Sequence, residues 1–342
     1  MAEKYFQKAE AYRSRAEYDR AIESYNKALA VYKKNSDVSG VLDCYLSLGD
    51  TFRAKGDFTE ARDMYTEGLG LAEALDDRAS EADAMSGLGL SIRALGDWGR
   101  ALELIRKAHK IYRTLKDRKG EAFSLWATAG TYRIKGDVKR AISVYHEALE
   151  MFRALKDRSG MAYSYCGLGG SSRVAGAFGD SEKYYKTANR MFGQLKDRFG
   201  LAYSYCGLGN ARRMNGDYKN ALIYFRKAET LYKKIGDRVS YAYTLWSVGT
   251  THKMLGENDK ALESFKESAE FFRQTKDPRG KIYCILGAGE LDNICGKRGK
   301  AEKAYSTAIE QAEKYGFKVE KKYAAMLMKA LEPGKGSPLN LP

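Results

Sequence analysis

Apolar positions along this chain recur at spacings of three and four, and that pattern itself returns every forty residues. Leu48-Gly49, Leu88-Gly89, Leu168-Gly169, Leu208-Gly209, Val248-Gly249 and Ala288-Gly289 share one register. A turn glycine follows at Gly56, Gly96, Gly136, Gly176, Gly216, Gly256 and Gly296, mostly beside an acidic residue. Next come Ala21, Ala61, Ala101, Ala141, Ala221, Ala261 and Ala301, and then an aromatic at Tyr25, Tyr65, Tyr145, Tyr185, Phe225, Phe265 and Tyr305. A further alanine register at Ala28, Ala108, Ala148, Ala188, Ala228 and Ala308 completes one helical face. Each unit therefore predicts two antiparallel helices, with small residues allowing close approach and the aromatic filling the space beside them. One such pair cannot bury its face alone, so the units must stack.

The units divide at about 2–37, 38–77, 78–117, 118–157, 158–197, 198–237, 238–277 and 278–315. Connectors such as Asp77-Arg78, Asp117-Arg118, Asp157-Arg158, Asp197-Arg198 and Asp237-Arg238 place an aspartate to N-cap the next helix. An amphipathic stretch within 316–332, Val319 to Leu331, reads as a capping helix, and 333–342 as a Pro/Gly-rich, non-helical tail that either docks through Leu339 and Leu341 or stays free.

The Leu-Gly, Gly-Asp, Ala, Tyr and Ala registers resemble the tetratricopeptide repeat, here with a forty-residue period like that of the Pins/LGN polarity adaptors and kinesin light chains. The resemblance implies an all-α fold: a right-handed superhelical solenoid of about eight helix-turn-helix repeats over 2–315, closed by the capping helix. It also implies that the first helix of each unit lines the concave side. Ala129 in place of Gly, Ile105 in place of the aromatic, and Ser181 and Ser268 in place of Ala depart from the pattern and suggest locally altered packing.

Composition narrows the function. The 342 residues are 30% charged and 12% aromatic with 4 prolines, which suits a large helical body rather than a disordered chain. No segment has the apolar length of a membrane span, and Met1 runs straight into polar, periodic sequence, so we expect a cytoplasmic protein without membrane insertion. The 5 cysteines are odd in number and lie inside helical patterns, predicting neither a disulfide framework nor a zinc site. His109, His146 and His252 share no register, and no phosphate loop or catalytic set is present, so no metal, cofactor or enzymatic activity is expected.

The net charge is +15, with the basic excess in residues 81–240 and an acidic unit at 41–80. Arg13, Arg53, Arg93, Arg133, Arg173, Arg213 and Lys253 occupy one register of the first helix; the eighth unit departs with Asn293. Beside them runs a stripe containing Phe123, Trp126, Gly130, then Tyr163, Cys166, Gly170, then Tyr203, Cys206, Asn210, then Tyr243, Trp246, Thr250. The expected groove is thus aromatic at one edge and cationic at the other. A plainer origin for the ladder is local pairing with a carboxylate four residues on, as in Arg53 with Asp57, Arg93 with Asp97 and Arg133 with Asp137; Arg173, followed by Ala177, lacks that partner. The stripe aromatics have a plain reading too, as core.

These features predict a non-enzymatic adaptor whose groove takes an extended or short helical segment of a partner protein carrying acidic or phosphorylated residues. Single-stranded nucleic acid stacking on the same aromatics is the alternative, and self-assembly into a homo-oligomer the third. A first test concerns the cysteines: thiol titration of the denatured, unreduced protein should find all 5 free, and a count of three or one would reveal a bridge.

Overall fold

Aspartate caps punctuate the chain. Asp37, Asp117, Asp157, Asp197 and Asp277 each accept a backbone N–H from the glycine three residues on, at 2.8–3.0 Å, which satisfies an orphan donor at the start of a helix. The residue preceding each cap turns through the left-handed region, at Ser36, Lys116, Lys156, Lys196 and Lys276. The computed structural model describes residues 1–331 and residue 340.

Among the described residues there are helices and no strands. The pairs are α1 (Ala2–Ser14) with α2 (Tyr18–Lys34), α3 (Val38–Lys55) with α4 (Phe58–Ala74), α5 (Arg78–Ala94) with α6 (Trp98–Leu115), and α7 (Arg118–Lys135) with α8 (Val138–Ala154). They continue as α9 (Arg158–Val174) with α10 (Phe178–Leu195), α11 (Arg198–Met214) with α12 (Tyr218–Ile235), α13 (Arg238–Met254) with α14 (Asn258–Gln274), and α15 (Pro278–Ile294) with α16 (Arg298–Tyr315). A last helix, α17 (Lys318–Ala330), packs on α16 and α15. The odd-numbered helices also touch one another along the array, forming its inner wall.

Glycine sets how closely these helices stack. Tyr185 of α10 lies between two of them: a methyl on Gly169 would stand 2.8 Å from its ring, and one on Gly207 of the next unit 2.1 Å. Tyr65 sits likewise between Gly49 and Gly87, and Phe265 between Gly249 and Gly287. Each aromatic is therefore clasped between the first helix of its own unit and that of the next. The departures fit this scheme with local adjustment: Ile105 replaces the ring and is fully buried against Leu90 and Ala127, and the Ser268 hydroxyl donates to the Ala242 carbonyl at 2.7 Å.

The curvature brings unit n against unit n+5. Arg198 Nη1 donates to the Arg15 carbonyl at 3.4 Å, and Arg238 pairs with Asp57 at 2.8 Å, contacts separated by 183 and 181 residues. Pro278 packs on Gly96, and Lys318 and Val319 on Gly136. The Trp98 indole donates to the Tyr315 carbonyl at 3.2 Å. The turn glycines of units two, three and four are thus covered by helix starts five units on, whereas those of units five to eight meet nothing within 4 Å among the described residues. A seam joins successive superhelical turns, and α17 supplies its last rung. Buried in the seam, the Asp237 carboxyl is pushed up to about 7, chiefly by loss of water and also by nearby Asp57.

Two outcomes test this packing. Gly207→Ala must push a fully enclosed Tyr185 ring and should cost about 2–3 kcal/mol of stability. By contrast Gly193→Ala, on the exposed side of α10 with nothing within 4 Å, should gain roughly 0.5–1 kcal/mol. Thermal or urea melts of both variants decide it. The second outcome is a pH slope. The folded Asp237 carboxyl holds its proton up to about 7 while the unfolded one releases it near 3.8, so stability from this group falls as pH rises through that window and levels off above it. Urea midpoints across the window should decline in the wild type and decline less in Asp237→Asn.

Candidate functional site

The ladder lies on the inner wall, and the four-residue pairing is absent from it. Asp57 binds Lys55 and Arg238, Asp97 caps the Arg100 N–H, Asp217 holds Arg212 and Asn220, and Glu257 takes His252 and Lys260. The partners of the ladder come instead from the stripe register, three residues before or 37 after each basic residue, which reads Glu10, Asp50, Leu90, Gly130, Gly170, Asn210, Thr250 and Glu290. Only its two ends carry carboxylates. At the first end Asp50 pairs with Arg13 at 3.5 Å and with Arg53 at 3.0 Å, while the Tyr65 hydroxyl donates to Asp50 at 2.7 Å. At the other end Lys253 and Glu290 form an ion pair at 2.6 Å, with side chains 1% and 2% exposed.

Between those ends Arg93, Arg133 and Arg173 make no ion pair among the described residues. Each leaves its Nε buried without a hydrogen-bond partner. Arg93 reaches the Ala127 carbonyl at 3.4 Å and lies over Gly130; a methyl on Gly130 would stand 2.6 Å from its Nη1. Arg133 lies over Gly170 in the same way, with a corresponding distance of 3.5 Å. The small residues make room for the guanidinium groups but offer them no counter-charge. Burial, reinforced by Arg133 and Arg53, pulls the Arg93 pKa down to about 10.

Arg213, 0% exposed, is held differently: its Nη2 donates to Asn210 Oδ1 at 3.1 Å, its Nη1 bonds Asn340 Oδ1, and it stands 5.7 Å over the Trp246 ring. Burial and the like charge of Arg173 pull its pKa to about 9.

The aromatic edge is built into the wall more than the stripe suggested. Trp246 is 5% exposed and its indole donates to the Tyr283 carbonyl at 3.0 Å. Tyr243 is edge-on to Phe272 at 4.6 Å, and Tyr203 stacks on Phe199 at 6.3 Å. Tyr163 donates to Asp197 at 2.8 Å, itself edge-on to Phe192. Cys166 is buried beneath the wall rather than facing the groove. Phe123 and Trp126 stack at 5.8 Å and, with Tyr163, Arg13 and Arg53, line a cavity of about 960 Å³ beneath the seam. The sequence reading missed Asp50 and Glu290 as ladder partners, although their shared register was visible. It also missed Asn340, which no repeat could have signalled.

Among the described residues no group of His, Cys, Asp or Glu could hold a metal ion, and no helix is long and apolar enough to cross a membrane.

A stacked array of helix pairs around an inner wall defines a helical-repeat scaffold. The chain belongs to the tetratricopeptide repeat family, whose pattern matches residues 1–74, 80–154 and 200–274. No curated protein matches it. Among solved structures, a Rap protein complexed with competence and sporulation factor aligns over 97% of this chain and 98% of its own, at 15% identity and a TM-score of 0.64. Aspartyl phosphate phosphatase F from Bacillus subtilis aligns over 96% and 93% at 11% identity, TM-score 0.50. A signal transduction ATPase with numerous domains that carries a tetratricopeptide repeat sensor, from Pyrococcus horikoshii, aligns over 97% of this chain but 50% of its own, at 15% identity and a TM-score of 0.53. At these identities the likeness is one of fold, and that fold is generally a protein-interaction scaffold without catalysis of its own.

Proposed function

We propose that this protein is a non-enzymatic adaptor whose inner groove binds an extended acidic or phosphorylated segment of a partner protein, with Arg93, Arg133 and Arg173 as the central contacts. One observation carries the reading: in three successive units a partly buried guanidinium has its Nε out of water and no ion pair among the described residues, while both ends of the same ladder are neutralised within the chain. A buried cation lacking a partner costs stability, so its repetition calls for an anion supplied from outside. The planar guanidinium suits carboxylate or phosphate oxygens. Stacked helices about 8–10 Å apart, against an extended peptide's roughly 3.3 Å per residue, call for an acidic residue at about every third position. The complex of the Rap protein with its factor shows the same fold with a ligand, and lends support at the level of the scaffold.

A protein segment is favoured over single-stranded nucleic acid by the aromatic edge. Base stacking needs open ring faces. Here Trp246, Tyr243 and Tyr163 are engaged edge or face with the wall, leaving Phe123, Trp126, Tyr203 and Asn210 as lesser wall contacts for a bound chain.

The test separates binding arginines from structural ones. Arg133→Gln and Arg173→Gln should keep stability within about 0.5 kcal/mol of wild type or raise it, because each removes an unpaired cation. Their affinity for a labelled glutamate-rich peptide should fall roughly tenfold or more, and wild-type binding should weaken with salt. Lys253→Met should behave oppositely, costing about 3–5 kcal/mol by stranding Glu290. If the two glutamine variants instead lose stability as the lysine variant does, or bind the peptide as tightly as wild type, the proposal is wrong.

A further inference from the structure

The seam has two sides, and each side recurs in a part of the array where the other is missing. One side is the connector between units. At the end of each second helix its register reads Leu75, Leu115, Leu155, Leu195, Ile235 and Thr275, and the exposure of these residues runs 46%, 43%, 40%, 37%, 5% and 8%. The fall comes where the seam begins: Ile235 shares an apolar cluster with Ala16, Tyr18 and Ala54 of the first two units, and the next connector sets Pro278 on Gly96. The other side is the turn inside each unit. Gly56 and Gly96 are buried there, whereas Gly176, Gly216, Gly256 and Gly296 are exposed and meet nothing within 4 Å among the described residues. On that free rim Leu255 and Ile294 are 38% and 43% exposed, and Ile294 holds the register of Ala54, which packs into the seam cluster. Half-buried Tyr218 likewise repeats Tyr18, which the seam buries. The expected tail contacts, Leu339 and Leu341, lie outside the described residues.

We propose that these two free rims bind each other between copies of the chain: the connectors ahead of units three to five of one molecule dock on the turns of units six to eight of the next, continuing between chains the seam that closes within one. The occupant follows from what already sits on each rim. Within the chain, turns are covered by connectors five units on, and α17 covers the turn of unit four, so the open turns begin where the chain's own connectors run out. Both free rims advance by one unit per step, so a contact made at one unit is repeated at its neighbours. Charge agrees with the match. The seam bond between Arg238 and Asp57, 2.8 Å long, has its register mates in Arg78 and Arg118 on the free connectors and in Asp217 and Glu257 on the free turns. The two arginines stand one unit apart and so do the two acids, which lets both bonds form together. Their present partners lie close along the chain, Glu121 for Arg118 at 3.1 Å and Lys260 for Glu257 at 3.3 Å, pairs near the surface that contribute little. Unit eight departs, with Lys297 where the acid stands, and offers Ile294 as an apolar contact instead. Because the docked surfaces differ, each added molecule leaves one of each kind open, and the product is an open helical chain of molecules rather than a closed dimer. This docking needs neither the arginine ladder nor its ligand.

Sedimentation velocity of the full-length chain over a concentration series reads the assembly. Wild type should sediment faster as concentration rises and pass beyond the size of a dimer. Leu115→Asp with Leu155→Asp on the connector rim, or Leu255→Asp with Ile294→Asp on the turn rim, should each raise the concentration of half-association about tenfold or more. Both should keep the wild-type urea midpoint, since all four side chains are already exposed. An equal mixture of the two variants should stop at dimers, because one retains only its turn rim and the other only its connector rim. Such a dimer also shows that both variants are folded. A wild type that stays monomeric up to its solubility limit would overturn the proposal, and so would association that survives either pair of substitutions, or a mixture that forms no dimer at unchanged urea midpoints. A lowered midpoint in both variants would assign these side chains to the packing of the single chain and overturn it as well. The basic connector rim is checked against phosphatidylserine vesicles: a monomeric protein that binds them, and loses that binding with Leu115→Asp and Leu155→Asp, would give the rim to a membrane surface instead of a second copy.

Discussion

The clasp of each ring by two glycines is the contact on which the rest of the molecule depends. Because Tyr185 touches Gly169 in its own unit and Gly207 in the next, one side chain fixes both the spacing within a helix pair and the spacing between pairs. A side chain larger than hydrogen at either glycine would splay one spacing against the other. Repetition of the clasp in Tyr65 and Phe265 gives each step nearly the same geometry, and equal steps accumulate into a regular curve. Nothing beyond nearest neighbours is needed to set that curve. The seam follows from it: equal steps bring Arg238 onto Asp57 and Arg198 onto the Arg15 carbonyl at nearly the same separation along the chain.

The seam changes what the inner wall can be. An open solenoid would leave its concave arginines in water, where a guanidinium needs no protein partner. With turn resting on turn, the same side chains are drawn out of water, and the cost of leaving them unpaired rises. The chain answers this cost at both ends, with Asp50 and Glu290, while Arg93, Arg133 and Arg173 make no ion pair among the described residues. Gly130 and Gly170 occupy the partner position, and the guanidinium groups of Arg93 and Arg133 fill the space that a side chain there would need, whereas Glu290 at the same register pairs with Lys253.

Much of the fold was legible in the sequence because its determinants are local and repeated. The glycine, alanine and aromatic registers, the aspartate caps and the helix pairs they imply all lie within one unit or between neighbours, and a fixed period displays such contacts directly. The seam was not legible, since which units meet depends on the angle per step, a property of packed atoms rather than of spacing. The site was read unevenly for the same reason. The ladder of basic residues appeared at once, yet its partners were sought four residues on along the helix, where Asp57, Asp97 and Asp217 turned out to serve other groups. The stripe misled in another way: Trp246 and Tyr243 carry the spacing of groove residues, but the same spacing serves contacts with Tyr283 in the next unit and Phe272 in the same one. Periodicity tells which residues share a face; it does not tell whether that face is turned to water or to a neighbour.

The distribution of charge along the ladder then argues for a division of labour. Paired rungs such as Lys253 with Glu290 hold the wall together, because removing either member strands the other in a dry place. Bare rungs contribute nothing of that kind; a cation drawn out of water with no counter-charge beside it lowers the stability of the free protein. The cost is bearable because it is confined to three units in the middle of the array, where each unit packs against a neighbour on both sides. An unpaired cation at either end, where the array has a neighbour on one side only, would weaken the units least able to sustain it. That the carboxylates stand at the ends and the bare arginines in the centre is the arrangement a repeat scaffold needs if one stretch of its wall is to be kept ready for a ligand.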